Sequence, residues 1–495
     1  MPARTLMIQG TGSHVGKSTL VAALCRIFKQ DGFRVAPFKS QNMSNNASVC
    51  GDGSEIARSQ ALQAAACGIE PAARMNPVLL KPEADSKAQV IVLGKPMGRM
   101  SALEYHDYKP RLLPVVRESL EALRRDFDIV VIEGAGSPAE INLRAGDIAN
   151  MKVAEMADAP VLLVGDIDTG GVFAQLIGTL QLLEPAERAR LKGFIINKFR
   201  GDPSILKPGL DDLESVTSRP VVGVVPYLQD LRLPEEDTPR AGKPGDEQGR
   251  LRLRVLRPPH MANFTDFDAL LGEADVALRY LEHPEPEVPD AVILPGSKST
   301  AADLRVLKER GFGDYLRHAR ELGATIVGVC AGCQMLGRAV LDPRGVESEI
   351  AREEGFGLLT VETRFESAKL TAPVRALHLE SGLEVSGYEM HHGRTAGEAA
   401  PVFRLAQRGA APADELEGAR DATGRVWGTA IHGLFENPVF RRHFLNGLRA
   451  RRGLPPISPA PGRSLEESLD RLAQAVRVHL DMNSIYSLIQ INPLN

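Results

Sequence analysis

The feature that most constrains this chain of 495 residues is a glycine-rich turn between an apolar run and a helical pattern. TLMIQ at residues 5–9 resembles a buried strand, GTGSHVGKST follows at 10–19, and Leu20, Leu24 and Phe28 then recur at helical spacing. A glycine-rich turn at a helix N-terminus directs backbone N–H groups and the positive end of the helix dipole at one point, which stabilises phosphate. The stretch therefore predicts a strand–turn–helix unit that cradles a nucleotide.

Within this turn, Lys17 is placed to reach the terminal phosphates and Ser18 to ligate Mg²⁺. The strict P-loop pattern requires a glycine five positions before Gly16, where Thr11 stands, so the match uses Gly10 and one extra residue. We predict that ATP binds here as a co-substrate with Mg²⁺. The predicted ATP contacts in this loop are Gly10, Thr11, Gly12, Gly16, Lys17, Ser18 and Thr19.

Two later strand ends carry further candidates for this site. Glu133 ends the run DIVVIE, where a carboxylate can hold Mg²⁺ or its water, although an exposed strand-end Glu has the same pattern. Asn197 closes GFIIN, where its amide can contact the adenine edge, and a plain turn explains the spacing almost as well. Other acidic candidates after strands are Asp52, Glu55, Asp166 and Asp168.

Short apolar runs alternate with helical patterns along the chain, which predicts an α/β protein with parallel sheets covered on both faces. The first series is TLMIQG, RVAPFK, DIVVIEG, APVLLVGD, GFIINKF and PVVGVVPY; the second is LRLRVL, DAVILPG, ATIVGVC, FGLLTVET and RVWGTAIHG. We predict a P-loop domain at 1–230, a charged Pro/Gly-rich linker at 231–250, a flavodoxin-like domain at 251–445 and a helical extension at 446–495.

Composition excludes some classes of partner. With 59 basic and 63 acidic residues the net charge is -4, so no basic field points to nucleic acid or an anionic membrane. No apolar run approaches the roughly 20 residues of a membrane span, and the first residues lack a signal-peptide pattern. Five thinly spread cysteines do not resemble a disulfide framework, so we expect a reducing, cytoplasmic location.

The stretch GVCAGCQMLG at 328–337 has the form glycine–x–nucleophile–x–glycine between a strand and a helix. The glycines relieve crowding at a sharp elbow, and the helix N-terminus favours a thiolate on Cys330. Cys333 falls one turn into the helix. A redox pair or a zinc site remains an alternative, but the chain offers no thioredoxin-like surroundings and no second pair of zinc ligands.

A cysteine nucleophile requires a base, and His432 closes the run TAIH at another strand end; His391 and His392 are alternatives. Gly296 in VILPGSKST and Ala331 are placed to donate backbone N–H groups to an oxyanion. An ATP site and a Cys–His site in one chain predict that one half hydrolyses glutamine to ammonia while the other activates a carboxylate with ATP.

Several longer motifs give the chain a resemblance to the cobyric acid synthase family, over nearly its whole length. They are FKSQNMSNN, EGAGSPAEINLR, GDIDTGG, INKFRGD, ILPGSKSTAADL, GYEMHHGRT and HGLFEN. The resemblance implies a dethiobiotin-synthetase-like P-loop domain fused to a class I glutaminase domain. It also implies amidation of the b, d, e and g carboxylates of adenosylcobyrinic acid a,c-diamide, with L-glutamine as nitrogen donor and ATP as co-substrate, in cobalamin biosynthesis.

The resemblance also implies residue roles. Ser18, Glu55 and Glu133 fall on the magnesium ligands, Asn197 on the adenine contact, and Cys330 and His432 on the glutaminase pair. Many class I glutaminases place an acid two residues after the histidine, where this chain has Leu434, so the resemblance implies a Cys–His dyad in which Glu436 is not a third member. A polar run could hold corrinoid side chains or form a hydrogen-bonded loop: Ser40, Gln41, Asn42, Asn45 and Asn46.

Two other functions fit part of the pattern. Cobyrinic acid a,c-diamide synthase shares both domain types but amidates other carboxylates, and FKSQNMSNN and GDIDTGG favour the cobyric acid synthase family. A regulatory P-loop ATPase fused to an inert glutaminase-like domain usually carries an early loop lysine. Here Thr11, Ser13 and His14 occupy the positions before Gly16.

Overall fold

The computed structural model describes residues 2–83, 87–228, 233, 250–459 and 464–492. The predicted linker at 231–250 lies outside the described residues except for Leu233 and Arg250. The part of the chain that the structure describes contains no helix long and apolar enough to cross a membrane.

The first domain alternates strands and helices. Its strands are β1 (Arg4–Gly10), β2 (Val35–Phe38), β3 (Gln41–Met43), β4 (Ala47–Val49), β5 (Glu55–Ala57), β6 (Val78–Pro82), β7 (Lys87–Val92), β8 (Lys95–Ser101), β9 (Ile129–Glu133), β10 (Val161–Asp166), β11 (Leu191–Phe199) and β12 (Val221–Pro226). Its helices are α1 (Lys17–Gln30), α2 (Arg58–Cys67), α3 (Ala102–Asp126), α4 (Met151–Ala157), α5 (Val172–Leu182), α6 (Pro185–Arg190) and α7 (Pro203–Thr217).

Six of these strands form one parallel sheet in the order β12-β11-β10-β1-β9-β2. They coincide with the six apolar runs of the first series, which confirms the predicted fold class for this domain. In the register, Ile8 pairs with Glu133 and Gly10 with Val164, so the phosphate loop and Glu133 leave the sheet at the same edge.

Between β2 and α3 the chain forms a sheet of order β3-β6-β7-β8 and the hairpin β4–β5. These strands were not predicted from the sequence, and three of the six have only three residues, too few to show an alternation of apolar and polar residues. They contact the second domain through a small core of Ala47, Ala57, Leu79, Ile91, Tyr388 and Met390.

The second domain and the C-terminal segment contain the remaining elements. The strands are β13 (Leu251–Leu256), β14 (Met261–Ala262), β15 (Val276–Leu281), β16 (Ala291–Leu294), β17 (Gly296–Ser297), β18 (Thr325–Val329), β19 (Ala339–Leu341), β20 (Arg352–Glu354), β21 (Val361–His378), β22 (Glu384–Gly397), β23 (Phe403–Arg408), β24 (Ala411–Glu417), β25 (Ala419–Arg420), β26 (Val426–Thr429) and β27 (Ile431–His432). The helices are α8 (Asp268–Leu271), α9 (Thr300–Glu309), α10 (Phe312–Glu321), α11 (Ala331–Leu336), α12 (Pro438–Arg451), α13 (Leu465–Arg477) and α14 (Met482–Leu488).

The central sheet of this domain has the order β15-β13-β16-β18-β26-β25, with β25 antiparallel and the others parallel. One predicted member is wrong: FGLLTVET does not join this sheet, because Val361 begins the long strand β21. β21 pairs antiparallel with β22 in a separate sheet, and its first residues alternate between buried and exposed. That alternation is typical of a sheet with one solvated face.

The C-terminal segment packs on the first domain. Leu469, Leu472 and Val476 of α13 lie in one core with Leu24 and Phe28 of α1. The predicted extension at 446–495 contains two helices, α13 and α14, and its boundary falls inside α12. Leu445 and Leu448 of α12 belong to the same core of the second domain, so α12 packs as one unit across that boundary.

Candidate active sites

The phosphate loop has the backbone geometry that its glycines suggest. Gly16 takes φ 96 directly before α1, and a Cβ there would lie 2.1 Å from Asn197 Nδ2, so both conformation and space require glycine. The Lys17 Nζ donates to the carbonyls of Gly12 at 2.7 Å and of Gly136 at 3.1 Å. These contacts hold the buried ammonium at the loop mouth, where it can meet phosphate.

Glu133 lies beside the start of α1 and is almost fully buried. Its Oε1 accepts from Ser18 Oγ and from Lys39 Nζ, each at 2.7 Å, and its Oε2 accepts from Gln63 Nε2 at 2.6 Å. A buried carboxylate and a helix-start hydroxyl that are hydrogen-bonded to each other supply hard oxygen ligands of the kind that Mg²⁺ takes. Ser18 and Glu133 therefore fit a magnesium site.

Glu55, the third predicted magnesium ligand, lies in a different cluster. Its Oε2 accepts from Lys81 Nζ at 2.6 Å, and its Oε1 accepts from Lys369 of the second domain. Burial would raise the pKa of Glu55, but the two lysines outweigh it and lower the pKa to about 2. Because both oxygens are occupied by lysines at the domain interface, we do not retain Glu55 as a magnesium ligand.

The other strand-end candidates are each engaged with a different partner. Asn197 donates from Nδ2 to the Val15 carbonyl at 2.8 Å, so its amide fastens the phosphate loop to β11. Asp166 accepts from Lys198 at 2.8 Å and Asp168 from Arg200 at 2.9 Å. Asp52 accepts from the backbone N–H of Ser54, as in a local turn. The adenine role of Asn197 stays a prediction.

The five residues predicted to bind the corrinoid are mostly engaged within the protein. Ser40 Oγ donates to the Ile148 carbonyl, Gln41 accepts from Tyr105, and Asn42 donates to Gln60. Asn46 accepts from Thr265 of the second domain at 3.0 Å. These contacts favour the hydrogen-bonded-loop alternative, whereas Asn45 lines a cavity described below.

Cys330 occupies the predicted elbow between β18 and α11. Its backbone takes φ 52 and ψ -113, a strained conformation for a residue with a side chain. A Cβ on Gly328 would lie 2.5 Å from the Cys333 nitrogen, and one on Gly332 would lie 2.0 Å from the Leu294 carbonyl oxygen. Both glycines are therefore required by close packing, which fixes the elbow and presents Cys330 at the sheet edge.

His432 lines the same cavity as Cys330, and a carboxylate holds its ring. Its Nδ1 donates to Asp266 Oδ2 at 2.7 Å, and the Gly433 N–H donates to Asp266 Oδ1 at 2.8 Å. Burial would lower the pKa of His432, but Asp266 and Cys330 outweigh it and raise the pKa to about 10. The imidazole therefore keeps its proton near neutral pH.

Asp266 corrects the expected dyad, because it occupies the place of a third member. It lies in the 3-10 turn Phe264–Phe267, 166 residues before His432. No sequence signal in NFTDFD marked it, since the contact is made only by folding. Glu436 is indeed not that member, because it pairs with Arg58.

The cavity around Cys330 lies between the two domains. Both predicted oxyanion donors, Gly296 and Ala331, line it together with His432. His391 and His392 line it too, but His432 is the one whose Nδ1 is held by a carboxylate, because Nδ1 of each of the other two bonds a backbone carbonyl. The first domain supplies part of the wall: Asn45 and Lys81.

Cys333 does not share this environment. Its side chain packs against Gly428, where an added Cβ would lie 2.6 Å from the sulfur. Burial raises the pKa of the Cys333 thiol well above its usual value. It is therefore an inert packing residue, not half of a redox pair.

Comparisons with known proteins match two segments of the chain to family models. Residues 6–240 match the model of the CobQ/CobB/MinD/ParA nucleotide binding domain, and residues 252–440 match that of the CobB/CobQ-like glutamine amidotransferase domain. A solved glutamine amidotransferase matches 40% of this chain and 98% of its own at 20% identity, with a TM-score of 0.30, too weak a likeness to support an argument.

Several curated relatives match almost end to end. The cobyric acid synthase of Dehalococcoides mccartyi strain CBDB1 is 49% identical over 98% of this chain and 99% of its own. That of Pelotomaculum thermopropionicum is 50% identical over 98% of this chain and 97% of its own. That of Sorangium cellulosum is 49% identical over 97% of this chain and 98% of its own.

Proposed function

The chain belongs to the cobyric acid synthase family, and from that premise we propose how its two sites divide the reaction. The second domain hydrolyses L-glutamine to glutamate and ammonia. The first domain uses ATP to activate the b, d, e and g carboxylates of adenosylcobyrinic acid a,c-diamide, which ammonia then converts to amides. The product is adenosylcobyric acid, an intermediate of cobalamin biosynthesis.

The glutaminase reaction starts with His432 protonated, because its pKa is raised to about 10. The Cys330 thiolate attacks the side-chain amide carbon of glutamine, and the N–H groups of Gly296 and Ala331 stabilise the oxyanion. His432 protonates the departing nitrogen, so ammonia leaves and a thioester remains. His432, now neutral, takes a proton from water, the resulting hydroxide attacks the thioester carbon, and the carbon–sulfur bond breaks to release glutamate and restore the Cys330 thiolate and the protonated His432. Asp266 keeps the imidazole in the orientation and protonation state that these steps need.

In the synthetase half, the residues of the phosphate loop bind and orient ATP. Lys17 and the loop N–H groups neutralise the charge on the γ-phosphoryl group while a corrinoid carboxylate attacks it in line to form an acyl phosphate. Ser18 and Glu133 would hold Mg²⁺, which supplies charge neutralisation on the β- and γ-phosphates when bound. Ammonia displaces phosphate from the acyl carbon to give the amide.

Ammonia starts its path at the domain interface. The cavity of Cys330 is walled in part by Asn45, whose Oδ1 is buried and has no hydrogen-bond partner among the described residues. Its Nδ2 is already fastened to the Pro82 carbonyl at 3.1 Å, so the oxygen is held in place. We assign Asn45 Oδ1 as an acceptor for an N–H of the substrate amide or of released ammonia.

The observation that carries this proposal is the strained Cys330 in one cavity with His432, with Asp266 bonded to the imidazole, in a chain that also holds an intact phosphate loop. An inert glutaminase-like domain has no need of such an arrangement. The near-full-length relatives described above are cobyric acid synthases, which favours that reaction over amidation of the a and c carboxylates.

The test is to incubate the protein with Mg-ATP, glutamine and adenosylcobyrinic acid a,c-diamide and to follow product mass. Four successive amidations are expected. ATP turnover without glutamine use, and with unchanged corrinoid mass, would contradict the proposal. A parallel incubation with cobyrinic acid as substrate distinguishes the two activities. Amidation of its a and c carboxylates would indicate a cobyrinic acid a,c-diamide synthase instead.

A further inference from the structure

The first domain reaches into the glutaminase site through the start of helix α2. Arg58, the first residue of α2, donates from its guanidinium to Glu436 Oε1. Glu436 ends the 3-10 turn Leu434–Glu436, which follows His432 and Gly433 directly. The side chain of Arg58 is 19% exposed and that of Glu436 is 47% exposed, so the ion pair is buried on the arginine side only. It ties the turn that follows His432 to the first domain.

An aromatic ring that stacks on His432 is also held from the first domain. The Tyr388 ring stacks on His432, with centroids 5.2 Å apart and planes inclined by 19°. The Tyr388 hydroxyl donates to the Ala47 carbonyl at 3.1 Å. Ala47 pairs in the β4–β5 hairpin with Ala57, the residue before Arg58. One continuous segment, residues 47–58, thus contacts both the turn after His432 and the ring stacked on His432.

The same helix reaches the magnesium site within two turns. Gln60 and Gln63 donate to Glu133 Oε2 at 3.4 Å and 2.6 Å, and Gln63 also donates to the Ser18 carbonyl at 3.3 Å. At a rise of about 1.5 Å per residue, Arg58 and Gln63 stand roughly 7.5 Å apart along the axis. A displacement at one end of so short a helix is transmitted to the other.

We propose that Arg58 is a positioning residue of the glutaminase, supplied by the synthetase domain, and that α2 makes the placement of His432 depend on nucleotide at the phosphate loop. This inference rests on the proposed function. Ser18 and Glu133 would hold the cation, which would compete with Gln63 for the carboxylate. The resulting shift of α2 would reach the turn after His432 through Arg58 and Glu436. A ligand shifts a conformational equilibrium only if it makes different contacts in the two conformations. The hydrogen bonds of Gln63 to Glu133 and of Arg58 to Glu436 are the contacts that would differ.

The experiment measures glutamate release by the full chain with and without Mg-ATP, in the wild type and in Arg58→Ala and Arg58→Lys. We expect Mg-ATP to raise the wild-type kcat about fivefold or more, within the usual range of coupling between sites. Arg58→Ala should lose most of that increase with little change in the KM for glutamine, and Arg58→Lys should restore part of it. Glu436→Ala should behave like Arg58→Ala, and the double variant should be no worse than either.

The matched control is Arg74→Ala, which removes an arginine of the same domain whose exposed ion pair is with Asp126 of α3 and not with the second domain. It should keep the full response to Mg-ATP. Product formation with added ammonia, Mg-ATP and the a,c-diamide reports on the synthetase separately and should survive in Arg58→Ala. If wild-type glutaminase ignores Mg-ATP, or if Arg58→Ala responds as the wild type does, the inference is overturned. Failure of the ammonia reaction in the wild type would instead overturn the proposed function.

Discussion

The phosphate loop and the cysteine elbow are both strand–turn–helix units at the carboxyl edge of a parallel sheet, yet they are completed in different ways. In the loop, the groups that meet the ligand are backbone N–H groups and side chains within ten consecutive residues, 10–19. At the elbow, Cys330 depends on His432, His432 on Asp266, and the turn after His432 on Arg58 of the other domain. A local site is encoded in one motif, whereas an assembled site is encoded by the fold.

The largest loss of activity should follow from substitution of the nucleophile Cys330, and the nearby Cys333 provides the comparison. Cys330→Ser should lower glutamine-dependent amidation about 10³-fold or more, because no other group forms the thioester. Cys333→Ser, a matched control three residues away, should retain most activity. Product mass with glutamine and with ammonia is the measurement, and Cys330→Ser should keep the ammonia reaction. Equal loss in both variants would mean that the two cysteines act as a pair.

Lys17→Ala tests the local site. We expect about a 10²- to 10³-fold fall in amidation with either nitrogen source, because the charge on the transferred phosphoryl group loses its ammonium partner. Glutamine hydrolysis without ATP should change little, since Cys330 and His432 do not contact the loop. Retained amidation with ammonia would show that phosphate is held elsewhere.

Asp266→Asn tests the assembled site. Glutaminase kcat should fall on the order of 10²-fold, because the imidazole loses the carboxylate that orients it and keeps it protonated. Asp266 helps to raise the pKa of His432 to about 10, so the wild type should lose the imidazolium only as pH rises through that value. The alkaline limb of the pH–kcat profile should move to lower pH in the variant. An unmoved limb would contradict the role given to Asp266.

Of these substitutions, Glu55→Gln should have the smallest effect on activity, and its main effect should be a lower free energy of unfolding. It leaves Lys81 and Lys369 buried without their shared carboxylate, and breaking such a pair costs about 3–5 kcal/mol in the free energy of unfolding. The pKa of Glu55 is lowered to about 2, so its stabilisation is present above the unfolded value near ~4.3 and is lost as pH falls toward 2. Urea unfolding at pH 7 and pH 3 measures this, and the variant's deficit should shrink at the lower pH.

The sequence predicted what neighbouring residues determine. The six strands of the first sheet, the turn at Gly16 and the elbow at Cys330 each follow from a local pattern of apolar residues and glycines. Asp266 could not be predicted, because its contact with His432 joins positions 166 residues apart. Glu55 was misassigned for the same reason: a carboxylate after a strand fits a metal site until folding places two lysines on it.

The return of α13 to the first domain has a consequence for synthesis. Leu469, Leu472 and Val476 complete the apolar core over α1, and Arg477 pairs with Asp31 at the end of that helix at 2.8 Å. During translation α1 emerges hundreds of residues before its covering helix. We therefore expect the core over α1 to be completed only after α13 has been synthesised. In a chain that lacks α13, the apolar face of α1 that α13 covers would be exposed to proteases and chaperones.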